Sequence, residues 1–136
     1  MKGNQVIMNE SNKTILVLED EHSLMEVIKA KLELEGFSVV TTRSVGQTLD
    51  YLKEGVEVDA IWLDHYLFGK EDGLDFVAEL KKDRFWKDIP VFVVANTVSP
   101  EKIRLYLELG VQGCYTKVDH RLDKIISDLR EFLEVN

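Results

Sequence analysis

Three runs of this chain are apolar without alternation: Thr14–Leu18 (TILVL), the centre of Asp59–Asp64 (DAIWLD) and Pro90–Ala95 (PVFVVA). A strand with one wet face alternates apolar and polar residues, whereas a continuous run means that both faces are covered. Runs this short, and this rich in Val, Ile and Phe, read as strands rather than buried helices. They therefore demand a parallel sheet with helices packed on both sides.

The intervening stretches supply those helices. Leu24, Val27, Ile28, Lys31 and Leu32 recur at helical spacing and stop at Gly36, a residue suited to ending a helix. Phe37–Thr41 reads as a second strand. Ser44 is placed to cap a helix carrying Val45, Leu49 and Leu52 that closes at Gly55. After the third strand and a Phe68–Gly73 loop, Leu74, Val77 and Leu80 mark a third helix. Pro90 opens the fourth strand, where a missing N–H costs little. Ser99, Pro100 and Glu101 supply a cap, a proline at the first helical position and a first-turn acid, and that helix runs to Gly110. Val111–Thr116 is a fifth strand. Leu122–Val135 is a last amphipathic helix with Leu122, Ile125, Ile126, Leu129 and Leu133 inward. Five β-then-α units with short connections predict an α/β doubly wound parallel sheet.

Length and charge narrow the function. The 136 residues suit one domain, preceded by a polar, Asn-containing leader over residues 1–13 that is expected to be disordered. That leader has no apolar h-region and does not read as a signal peptide. A net charge of −8 argues against direct nucleic-acid binding, which depends on neutralising phosphates. The apolar runs are too short to span a bilayer. Cys114 is the one cysteine, so neither an internal disulfide nor a CxxC zinc pair is available. A soluble cytoplasmic domain is expected.

In sheets of this kind ligands bind beyond the carboxyl ends of the strands. The first strand ends in Glu19-Asp20-Glu21, the third in Asp64, the fourth in Ala95-Asn96-Thr97 and the fifth in Lys117. The plain alternative is a set of solvated strand-end acids. Carboxylates gathered at one edge, however, repel unless a cation sits among them, and Mg2+ suits all-oxygen ligands at roughly 2.0–2.1 Å. A lysine facing the same point would bind phosphate or carboxylate as a point charge. Competing chemistries lack their signatures. No GxGxxG or GxxxxGK[ST] is present, and Glu19-Asp20-Glu21 would repel a flavin phosphate after the first strand. The DxDx[TV] of aspartyl-nucleophile phosphatases is replaced by EDEHS.

Taken together, ILVLEDE (Ile15–Glu21), DAIWLDHYLFGKEDGLDF (Asp59–Phe76), IPVFVVANT (Ile89–Thr97) and LELGVQGCYTK (Leu107–Lys117) resemble the receiver domain of two-component response regulators. The resemblance covers nearly all of residues 14–136. It implies a flavodoxin-like (βα)5 fold with strand order 2-1-3-4-5 and a stand-alone phosphoryl-accepting switch rather than a true enzyme. Any activity would be limited to self-phosphorylation and self-dephosphorylation. Asp64 matches the phosphoacceptor. Glu19, Asp20 and the backbone carbonyl of Tyr66 match the other Mg2+ ligands, and Lys117 matches the lysine that bonds the phosphoryl group. The implied donor is a histidine kinase or histidine phosphotransfer protein, and the implied output is protein–protein contact, including a phosphorylation-dependent dimer.

Two switch positions depart from the family. Ala95 stands where a Thr or Ser hydroxyl is usual, and Cys114 where a mobile Tyr or Phe is usual. Thr97 would offer a substitute hydroxyl if its loop rearranged. Lys117–Val118 replaces the usual Lys-Pro, so a trans bond is expected. These departures motivate an alternative, a receiver-like interaction module whose partner binding does not depend on phosphate. His65 and His22 flank the proposed site and read as packing or solvent residues; His120 reads as surface. Cys114 reads as a small apolar residue and Trp62 as core. Phe85, Trp86 and the face carrying Ile103, Leu105 and Tyr106 form a candidate partner surface.

Overall fold

Residues 12–65, 73–96, 99–117 and 120–135 are described by a computed structural model of the chain. The elements alternate as expected: β1 (Thr14–Leu18), α1 (His22–Leu34), β2 (Ser38–Thr42), α2 (Val45–Lys53), β3 (Ala60–Leu63), α3 (Gly73–Lys82), β4 (Val91–Ala95), α4 (Pro100–Leu109), β5 (Gly113–Thr116) and α5 (Leu122–Val135). All strand pairs are parallel and the sheet order is β2-β1-β3-β4-β5. The order reverses around β1, so the carboxyl ends of β1 and β3 lie side by side at the switch point. The backbone fixes this closely: Asp64 N–H donates to the Leu18 carbonyl at 3.0 Å.

The sheet separates two cores, which is why its strands do not alternate. On one side Ile15, Val17, Trp62, Phe92 and Val94 pack against Met25, Ile28 and Leu32 of α1 and Ile125, Ile126, Leu129 and Leu133 of α5. On the other, Leu16, Leu18, Ile61, Leu63, Val91 and Val93 pack against α2, α3 and α4 through Val45, Leu52, Phe76, Val77, Leu80 and Tyr106. Each such side chain, fully buried, contributes about 1.5–3 kcal/mol. Two exposed ion pairs, Lys31–Asp123 and Arg130–Glu35, join α1 and the residue capping its end to α5 and add at most about 1 kcal/mol apiece.

The helix starts follow from local chemistry. Ser44 Oγ accepts from Gln47 N–H at 3.1 Å, capping α2, and Gln47 Oε1 accepts from the N–H of Arg43, the residue before the cap, at 2.8 Å. Ser99 Oγ accepts from Lys102 N–H at 3.2 Å ahead of Pro100. α4 ends on Gly110 at φ 97°, the left-handed conformation that glycine adopts without a Cβ penalty.

Several sequence expectations need correction. β2 begins at Ser38, whose N–H starts the ladder by donating to the Lys13 carbonyl at 2.8 Å. β3 is confined to Ala60–Leu63 and β4 to Val91–Ala95, each shorter than its apolar run. β5 begins at Gly113 rather than Val111, because the Val111 N–H is still tied to the Tyr106 carbonyl of α4. Val27 is exposed, and the buried stripe of α1 is Met25, Ile28 and Leu32. Tyr106 is not a surface residue; it is wholly buried. The 1–13 leader lies, through residue 11, outside the described residues. Among those described, no helix is long and apolar enough to cross a membrane.

Candidate functional site

The chain emerging from β1 places Glu19 in the angle between β2 and β3, its N–H donating to the Thr42 carbonyl at 3.0 Å. Glu19 is 2% exposed and Asp64 7%, while Asp20 sits half-buried at the rim. One carboxylate oxygen from each of Glu19, Asp20 and Asp64 lies within 4.8 Å of the others. Lys117 reaches the same point from the end of β5, where its N–H donates to the Ala95 carbonyl at 2.7 Å. Its Nζ stands 3.7 Å from Glu19 Oε1, close enough for charge attraction but too far for a hydrogen bond. On the outer side, Arg43 donates from its guanidinium to the Asp20 carbonyl at 3.3 Å.

The charge balance is unfavourable as it stands. Burial first, and the Glu19 charge second, push Asp64 from 3.8 up to about 7 against the opposing pull of Lys117. Glu19 is likewise raised, chiefly by burial, with Lys117 working against the shift. Glu19 Oε2 accepts from Glu21 N–H at 3.3 Å, but Glu19 Oε1 is buried with no hydrogen-bond partner. A buried acceptor without a donor, beside two further carboxylates, is the environment that a hard divalent cation relieves. The donor set, all oxygen, fits Mg2+.

The other predicted positions divide. Tyr66 and Thr97 lie outside the described residues, as does Val118. Ala95 is fully buried at the end of β4, in register with Thr116. Cys114 pairs with Val93 and packs on the α2–α4 side, and burial pushes its thiol up to about 11. Neighbouring Tyr115 faces the opposite core, its hydroxyl donating to Asp128 at 3.0 Å. Ala95 brings no hydroxyl and Cys114 no aromatic ring to the two positions where the resemblance leads one to expect them. His22 is exposed. His120 is half-buried, its ring edge-on to Tyr115 at 5.1 Å.

One contact beside the site is not legible in any motif. His65, directly after Asp64, is 1% exposed, and its Nδ1 lies 2.6 Å from the hydroxyl of Tyr106 on α4. The rings meet edge to face at 5.5 Å. Residue parity was the available signal: His65 shares the face of Ile61 and Leu63, which look toward α3 and α4. Gly73, the first residue of α3, completes the junction. A Cβ there would fall 2.1 Å from the Tyr106 hydroxyl.

Comparison with known proteins agrees with this geometry. The family described as the response regulator receiver domain matches residues 15–130. The putative response regulator NtrX-like of Rickettsia typhi is 32% identical over 126 residues, 92% of this chain and 26% of the relative. The phosphate regulon transcriptional regulatory protein PhoB of Escherichia coli K12 is 32% identical over 105 residues, 77% of this chain and 45% of the relative. The chain thus spans less than half the length of these relatives. The crystal structure of the phosphorylated cyanobacterial phytochrome response regulator RcpA is 27% identical with a TM-score of 0.75, covering 90% of this chain and 92% of that one.

Proposed function

The chain belongs to the response regulator receiver domain family, and from that premise we propose that it is a phosphoacceptor switch of a two-component or phosphorelay system in the cytoplasm, loaded at Asp64. The observation that carries this reading is the convergence of Glu19, Asp20 and Asp64 within 4.8 Å, with Lys117 Nζ 3.7 Å from Glu19. A histidine kinase or histidine phosphotransfer protein is the donor. An Asp64 carboxylate oxygen forms the new P–O bond as the P–N bond to the donor imidazole breaks, and water later cleaves the acyl phosphate.

Glu19, Asp20, Asp64 and the Tyr66 carbonyl would hold Mg2+. When bound, the ion supplies positive charge for the transferred phosphoryl oxygens and allows Asp64 to act as an anion. Lys117 adds a second cation on the β5 side, as a point charge that can leave Glu19 for the phosphoryl group. Glu19 and Asp20 keep that centre anchored at the switch point, and the buried floor beneath limits access of water. The chain modifies itself and does not turn over a separate substrate. Its signal passes to a downstream protein by direct contact.

Intact-mass spectrometry after incubation with acetyl phosphate tests this. One phosphoryl addition is expected, dependent on Mg2+ and lost in Asp64→Asn. A second reading is favoured by Ala95 and Cys114: a binding module that ignores phosphate. No addition, together with no tryptophan fluorescence change on beryllofluoride, would decide for that alternative.

A further inference from the structure

We propose that the state of Asp64 is read out through the buried couple His65–Tyr106 onto α4; this deepens, and rests on, the phosphoacceptor reading. His65 follows Asp64 directly at the end of β3. Both lie just beyond the strand, which ends at Leu63, and as chain neighbours they share a peptide unit. Asp64 looks into the acidic site while His65 looks into the core beneath α3 and α4, so a shift of the backbone at one is a shift at the other.

The couple has little freedom to absorb such a shift. Both residues are at most 1% exposed, and the hydroxyl lies 2.6 Å from the imidazole Nδ1. Separating the rings would give up a short hydrogen bond in a buried setting, a cost that favours the two moving as a unit. Gly73 closes the remaining space: its N–H donates to the His65 carbonyl at 3.1 Å, and its missing Cβ makes room for the Tyr106 hydroxyl. His65 is therefore held by main chain and side chain at once. Close-packed surroundings of this kind transmit displacements rather than soften them. Tyr106 then carries the displacement into α4, whose outer residues Leu105 and Leu107 are 41% and 54% exposed. The alternative route across β4 and β5 meets Ala95 and Cys114, which offer neither hydroxyl nor aromatic ring.

The test separates loading from read-out. Wild type, Tyr106→Phe, His65→Leu and the double variant are loaded with acetyl phosphate and Mg2+ for intact mass. They are then loaded with Mg2+ and beryllofluoride for amide hydrogen exchange. All four proteins should take up one phosphoryl group. In wild type, loading should change exchange over α4 about fivefold or more, the low end of ordinary coupling between two sites. Each single variant should lose a like part of that response and the double variant no more than either, whereas two independent packing defects would add. Full retention of the α4 response in loaded Tyr106→Phe would overturn the couple. So would a loaded wild type whose α4 does not respond. Failure of the wild type to load removes the phosphoacceptor reading and the couple together. If a variant does not fold, the wild type alone decides by NMR: unmoved Tyr106 and His65 ring resonances on beryllofluoride loading refute the route.

Discussion

Replacing Asp64 with Asn should make the metal-free protein more stable at neutral and alkaline pH. The carboxyl ionises at about 7 in the fold against an ordinary 3.8. Below 3.8 both states keep the proton, and the group contributes nothing to the pH dependence. Between 3.8 and about 7 the native state still holds a proton that the unfolded chain has released, so stability falls as pH rises. Above about 7 the whole penalty applies. At about 1.36 kcal/mol per tenfold change in proton affinity, the gap corresponds to a ceiling of about 4 kcal/mol. The attraction to Lys117 is already contained in that value, and an imperfect fit of the amide among the same neighbours leaves a net gain of about 2–4 kcal/mol above pH 7. With a urea dependence of about 2 kcal/mol per molar, the midpoint should move up by about 1–2 M. The assay is urea unfolding of both proteins in chelator at about pH 5 and about pH 8, where the difference should grow with pH. An Asp64→Asn gain that is the same at both values, or a loss at the higher one, would refute the argument that a buried, uncompensated charge sits at Asp64.

Three further outcomes are expected. Mg2+ should stabilise wild type by about 2.7 kcal/mol at a hundredfold excess over its Kd. Its affinity should weaken below pH 7, because Asp64 must release a proton to bind it, and pH-dependent calorimetry in buffers of different ionisation heat reads both effects. Gly73→Ala should cost about 1–3 kcal/mol by overpacking, and Tyr106→Phe, which removes the hydroxyl 2.1 Å from the new Cβ, should recover part of it in a double-mutant cycle. Cys114, its thiol pushed up to about 11 by burial, should react with a disulfide reagent far more slowly in the native protein than in urea; equal rates would mean that the thiol is exposed.

Most of the fold was legible because its signals are local. Non-alternating strands, the Ser44 and Ser99 caps and the left-handed glycines at 36, 55 and 110 each act over a few residues. The acidic site was legible because strand ends in a doubly wound sheet must converge, whichever helices follow. The edges of β2 and β5 were less so. They depend on where a neighbouring chain first offers a carbonyl, as Lys13 does for Ser38. The burial of Tyr106 is illegible for a related reason. Helical spacing shows which residues share a face, but a helix with Leu105 and Leu107 outward does not announce that its tyrosine meets a histidine 41 positions away.

The division of the interior by the sheet has its own consequence. Leu16 and Val17 are adjacent in the chain, yet they belong to packing neighbourhoods that never meet. Each layer can thus drift in sequence under its own rules. Substitutions drawn from opposite sides of the sheet and sharing no partners should add in free energy, while those in contact within one layer should not. A surface built on α1 and α5 is free to be reshaped for one partner without disturbing whatever α2, α3 and α4 have been shaped to meet.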